Sequence, residues 1–209
     1  MYIYSALLQA KPGKGGKAGR ALTELRDTLA GLLGQPVHAW AAVAGAPIGA
    51  FAVSTRVDSF ANLLDLQMKM AGDEDYQELA ANTGKLWAAP AETALNRIVA
   101  YSGEPSDPKP ITAITRVTIA PGQVRAAVAA GHEMLEMVTA LGGGNGLLTM
   151  STAGNFNDLS WIMAYDSAAD ADASVEKVLS NADYLEKVDG MAGLFLAGQS
   201  ERFLLAQLP

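Results

Sequence analysis

The 209-residue sequence contains no cysteine and only two histidines. The first absence excludes a disulfide framework, a thiolate nucleophile, a zinc finger and an iron–sulfur site, and the second leaves little for metal binding or imidazole chemistry. Charged residues are also few, at 18%, and aromatics make up 7%. Half of the chain is apolar, which supplies a packed core and excludes a disordered, solvating polymer. No run of about 18 uncharged apolar residues occurs. The longest low-charge stretch, Gln35 to Thr55, is interrupted by two prolines, by glycines and by His38. A membrane span is therefore not expected. Met1-Tyr2-Ile3-Tyr4 lacks the basic start of a signal peptide, so a cytoplasmic location is the expectation. The net charge of −7 argues against a partner bound through a phosphate backbone, so no nucleic acid is expected.

What the sequence does contain is an internal echo. Lys11-Pro12-Gly13 is answered by Ala120-Pro121-Gly122, and Ala44-Gly45 by Ala153-Gly154, both at a spacing of 109. Val57-Asp58-Ser59 is answered by Tyr165-Asp166-Ser167, and Asp75-Tyr76-x-Glu78 by Asp183-Tyr184-x-Glu186, at a spacing of 108. These matches are collinear, and a single deletion reconciles the offsets. The proline-rich stretch from Ser102 to Pro110 reads as an extended connector. The expected organisation is repeat 1 over residues 1–101, a linker over 102–110 and repeat 2 over 111–209.

Each repeat reads strand, helix, strand, strand, helix, strand. In the first, strands are expected over Tyr2 to Gln9, Val37 to Val43, Ala50 to Thr55 and Thr93 to Ala100. One helix follows the stripe Ala18, Leu22, Leu25, Leu29 and stops at Gly34; another runs from Ser59 to about Ala81 with a break near Gly72. The second repeat gives strands over Thr112 to Ile119, Gly146 to Thr152, Leu159 to Tyr165 and Glu201 to Leu208, with helices from Gln123 to Leu141 and from Ala168 to about Val188. This is the βαββαβ ferredoxin-like unit. Segments such as Ala50-Phe51-Ala52-Val53 and Leu159-Ser160-Trp161-Ile162-Met163 are apolar on both faces, so each sheet needs a second cover. The expected fold class is α+β, with two tandem ferredoxin-like repeats packed sheet to sheet as one pseudo-symmetric barrel.

The tandem pattern, the Pro-Gly opening the first helix of each copy and the strand-Asp-Ser-helix-Asp-Tyr run resemble the dimeric α+β barrel superfamily. That group includes antibiotic-biosynthesis-type monooxygenases, NIPSNAP-like proteins and haem-binding barrels. The resemblance implies a barrel cavity that binds a small molecule.

His38 and Trp40 alternate on one face of a strand otherwise built from alanine, valine and glycine, and are expected to border the ligand. His38 is then the catalytic base and Trp40 a stacking surface; the alternative is a core histidine beside a core tryptophan. Their counterparts, Leu147 and Thr149, lack ring chemistry. Tyr4 and Trp161 are further candidates for the lining, and Arg97 is a strand cation suited to a substrate carboxylate. The haem-binding relatives imply an axial histidine in the second unit, a position class that only His132 occupies; the simpler reading of His132 is an ion pair with Glu136 one turn later. Haem is thus an alternative, and no cofactor is the primary expectation. Lys11, Lys14, Lys17 and Arg20 crowd one helix start, where the macrodipole favours anions. The Gly13-x-Gly15-x-x-Ala18 spacing there imitates a dinucleotide fingerprint, but no acidic residue ends the next strand. Two functions remain open: cofactor-independent monooxygenase-like or isomerase-like chemistry on a small apolar or aromatic compound, and a non-catalytic ligand-binding or assembly module. A homo-oligomer would form through the outer helices.

Overall fold

A computed structural model describes residues 1–103 and 107–209. The element order is β1 (Tyr2–Gln9), α1 (Gly15–Leu33), β2 (Val37–Ala44), β3 (Ala50–Val57), α2 (Phe60–Gly72), α3 (Glu74–Gly84) and β4 (Glu92–Ser102), then β5 (Ile111–Ile119), α4 (Val124–Ala140), β6 (Asn145–Ala153), β7 (Asp158–Tyr165), α5 (Ala168–Leu179), α6 (Ala182–Gly190) and β8 (Phe195–Gln207). Hydrogen-bonded neighbours follow the order β1-β3-β2-β8-β5-β7-β6-β4 as a closed barrel. The fold is the expected α+β barrel. Among the described residues, no helix is long and apolar enough to cross a membrane.

The chain divides into two compact units. Unit 1 comprises Met1–Leu95 with Ala206–Pro209, and unit 2 comprises Asn96–Leu205. In unit 1, β3 lies between β1 and β2, both antiparallel to it, with Tyr4 opposite Thr55 and Val37 also opposite Thr55. Unit 2 repeats the arrangement, with Ala113 and Gly146 both opposite Met163 of the central strand β7. Alternation of side chains across a strand sends Tyr4, Val37, Val53 and Thr55 to the face packed against helices of unit 1. His38, Trp40 and Ser54 take the opposite face.

Matched caps fix the outer helices. Ser59 and Ser167 accept from the backbone N–H of Asn62 and Asp170 at 3.1 and 3.2 Å. Asp73 and Asn181 accept from those of Tyr76 and Tyr184, each at 2.8 Å. Each such cap stabilises its helix by about 1 kcal/mol. The Asp73 cap also explains the break expected near Gly72: it ends α2, turns the chain and starts α3 with Tyr76 in the first turn.

Three boundaries differ from expectation. The helix expected from Ala168 to Val188 is broken at Ser180-Asn181, because Asn181 caps a new helix. The last strand begins at Phe195 instead of Glu201; Gly198 at φ 74° and the polar run around it conceal the strand pattern. Ser102, read as the start of the linker, ends β4 and is buried, where its hydroxyl accepts from the Gly146 N–H at 2.8 Å. Linker residues 104–106 lie outside the described residues.

Candidate functional site

Unit 1 holds a partly enclosed cavity of about 580 Å³ between its sheet and α1–α3. The floor comes from Tyr4, Ala6, Leu8, Val37, Val53 and Thr55, and the helices contribute Leu25, Leu29, Leu66, Met70, Tyr76 and Thr83. Trp87, Ala88, Ala89 and Pro90 form a further wall. That wall is tied to the end of β1, since the Lys11 N–H donates to Leu86 O at 2.9 Å and the Ala88 N–H to Gln9 O at 2.7 Å. Trp87 is buried and meets Phe51 edge-on at 6.1 Å. The cavity borders two buried clusters, one around Leu29, Val57 and Leu66 and one around Ala18, Leu22 and Trp87.

Unit 2 fills the corresponding space. Its core is a single cluster containing Trp161, Met163 and Tyr165, where β3 has Val53, Thr55 and Val57. Glycines make room for the larger side chains. Gly146 stands where β2 has Val37, and a Cβ there would come within 2.6 Å of the Met163 sulfur. Gly131 stands where α1 has the fully buried Leu22, and its carbonyl accepts the Trp161 indole N–H at 2.9 Å. Two matched exchanges, Val37/Thr55 against Gly146/Met163 and Leu22/Val53 against Gly131/Trp161, separate an open core from a closed one. Unit 2 has instead a more open depression between α4 and α6, lined by Ala126, Ala130 and Met191 among others and bridged by a Lys187–Glu133 ion pair.

Among the described residues, the lining of the unit 1 cavity contains no charged side chain and no histidine. Its polar side-chain groups are hydroxyls, and those of Thr55 and Thr83 are already engaged. Thr55 donates to Pro36 O and accepts from the Gln35 amide, both at 2.8 Å, and Thr83 donates to Ala80 O at 3.1 Å; the Ser54 hydroxyl, on the opposite face of β3, accepts from the Trp40 indole at 3.0 Å. The Tyr4 and Tyr76 hydroxyls have no hydrogen-bond partner among the described residues. Burial, with a smaller contribution from the neighbouring Tyr4, raises the Tyr76 pKa above the ordinary 10.0. Tyr76 is thus a neutral phenol at physiological pH.

The expected site residues divide between places. Tyr4 lines the cavity. His38 and Trp40 do not: they occupy the other face of β2, their ring centroids 6.3 Å apart, with the Gln207 amide donating to His38 Nδ1 at 3.2 Å. Trp161 is part of the unit 2 core, 8% exposed. Arg97 is exposed on β4. His132 is half-buried on α4, lines neither depression and makes no ion pair with Glu136; one position on, Glu133 pairs with Lys187. Haem does not fit the unit 1 lining, which offers neither an imidazole for the iron nor a cation for the propionates. Among the described residues no group of three His, Cys, Asp or Glu is arranged to hold a metal. At the basic start of α1, Lys11 Nζ donates to Lys85 O at 2.9 Å, which ties that cation to the segment leading into Trp87. The sequence reading missed Tyr76, Val53 and Thr55 as cavity residues.

No protein-family model and no curated protein matches the sequence. Solved structures do match its fold. A candidate monooxygenase of Fusobacterium nucleatum superposes with a TM-score of 0.74 at 10% identity, covering 100% of this chain and 92% of that one. An anthrone oxidase-like protein gives 0.69 at 13% identity, with 98% and 91% covered. The haem-degrading enzyme of Listeria monocytogenes gives 0.55 at 10% identity, with 99% of each chain covered. The chain shares the α+β barrel fold of these structures. At these identities the likeness concerns the barrel alone, which hosts unrelated activities, so a function has to be argued from the cavity.

Proposed function

We propose that this barrel binds a small apolar molecule in the unit 1 cavity and acts on it as a cofactor-independent monooxygenase. The observation that carries the reading is the difference between the halves: unit 1 keeps open a space that unit 2 fills with Trp161 and Met163. A lining without charge, metal ligands or imidazole suits a substrate that is its own reductant. In such a reaction an activated CH₂ group becomes a carbonyl at the expense of O₂; one oxygen atom bonds to carbon, and the other leaves as water with the two substrate hydrogens. The partly enclosed apolar site would limit the access of water and position the substrate. The monooxygenase and anthrone oxidase-like names among the structural neighbours support this class of chemistry.

Anthrone in air-saturated buffer tests the proposal, with oxygen uptake and anthraquinone formation followed without added flavin, metal or haem. The expected result is uptake of one O₂ per anthraquinone formed, well above the rate without protein. Binding of anthrone with no added oxygen uptake would contradict catalysis and favour a non-catalytic ligand-binding module.

A further inference from the structure

The cavity's polar groups define the charge and functional group of its ligand. A carboxylate, phosphate or ammonium placed there would meet no countercharge, and a buried unpaired ion costs many times what a hydrogen bond returns. Among the hydroxyls of the lining, those of Thr55 and Thr83 are engaged with protein groups. Tyr4 and Tyr76 remain, one from the floor and one from the first turn of α3, both lining the same cavity. A phenol hydroxyl donates a hydrogen bond. Two such donors in an otherwise apolar cavity form a receptor for one neutral acceptor oxygen.

We infer that the ligand is uncharged, that its body is apolar, and that it carries a carbonyl oxygen held by the hydroxyls of Tyr4 and Tyr76. This rests on the reading of the unit 1 cavity as the binding site and adds to it the ligand's charge and functional group. The two tyrosines are binding residues with complementary places. The Asp73 cap sets Tyr76, and β1–β3 pairing sets Tyr4 opposite Thr55. Unit 2 retains a tyrosine at the α6 position, Tyr184, but has Ala113 in place of Tyr4, so the pair exists only where the cavity is open.

Three probes of one shape but different polarity test this by calorimetric titration of the full chain: naphthalene, 2-acetonaphthone and 2-naphthoate. The expected order is 2-acetonaphthone tightest, naphthalene about 3- to 10-fold weaker for want of the hydrogen bond, and 2-naphthoate at least about 100-fold weaker at pH 7. Tyr4→Phe and Tyr76→Phe should each narrow the gap between the first two without weakening naphthalene. Equal wild-type binding of naphthalene and the ketone, or tightest binding of 2-naphthoate, would overturn the inference while leaving the cavity as a binding site. A gap that survives in both variants would overturn it as well. Failure of all three probes to bind would instead refute the cavity reading itself. The wild-type series decides the question even if one variant folds poorly.

Discussion

Val53→Trp gives unit 1 the residue that closes unit 2. Val53 sits on the central strand, flanked in register by Ala6 and Ala39, so an indole there has small neighbours on both sides and extends into the 580 Å³ space. Replacing the isopropyl group with an indole buries on the order of 100 Å² more apolar surface, about 2.5 kcal/mol of stabilisation. The opposing terms are also legible. Unit 1 has Leu22 where unit 2 has Gly131, so the indole is crowded and its N–H loses the carbonyl that Trp161 uses, at a cost of about 1–3 kcal/mol. The two nearly cancel, and the melting temperature should stay within roughly 5 °C of wild type for a chain of this length. Binding of 2-acetonaphthone should not survive: loss of only 1.4 kcal/mol is already about tenfold, and the indole takes the ligand's place. Calorimetric titration beside thermal denaturation separates the two effects. A folded Val53→Trp protein that binds 2-acetonaphthone as tightly as wild type would refute the reasoning.

Trp161→Ala should destabilise the protein by about 3–5 kcal/mol, read from denaturant midpoints, because it hollows the unit 2 core and strips the Gly131 carbonyl of its partner. Tyr76 predicts an alkaline effect. Its folded pKa lies above the unfolded value, so its contribution to stability is complete below the unfolded pKa and is lost as pH rises through the folded one. Tyr76→Phe should therefore flatten part of the stability loss above about pH 10, and identical alkaline profiles for the two proteins would contradict this. In unit 2, Asp158 is 4% exposed and accepts from Thr118 at 2.7 Å and Asn155 at 2.9 Å; the Arg116 guanidinium lies 3.7 Å from it, pairs with Glu201 and stacks over Phe203. Arg116→Met should cost about 1–2 kcal/mol, less than a fully buried pair would, because Arg116 is about a third exposed and its partners keep other hydrogen bonds. Unchanged urea denaturation of that variant would show the network to be ornamental.

The barrel was legible because its signals are local and occur twice: period-2 strands, Pro-Gly before each first helix, and the strand-Asp-Ser-helix-Asp-Tyr run in each half. The site was not, because polarity on a single strand cannot say which of two buried faces is left open. His38 and Trp40 stand out in their strand by chemistry, whereas the cavity opens on the opposite face through what is small there, Ala6, Val53 and Thr55. The signal was nonetheless present in a comparison of the two halves. Aligning β3 with β7 sets Val53 against Trp161 and Thr55 against Met163, and aligning the helices sets Leu22 against Gly131; those size exchanges mark where one unit is filled and the other is not. Tyr76 was visible only as half of a repeated Asp-Tyr pair, and its place in the cavity depends on the capped turn that starts α3.

The most direct measurement is a titration of isotope-labelled protein with 2-acetonaphthone, followed by amide chemical-shift mapping. The account predicts that the shifts concentrate on Tyr4, Val53, Leu66, Tyr76, Thr83 and Trp87, while the unit 2 core around Trp161 stays silent. Shifts centred on His38 and Trp40, or on the α4–α6 depression, would contradict it.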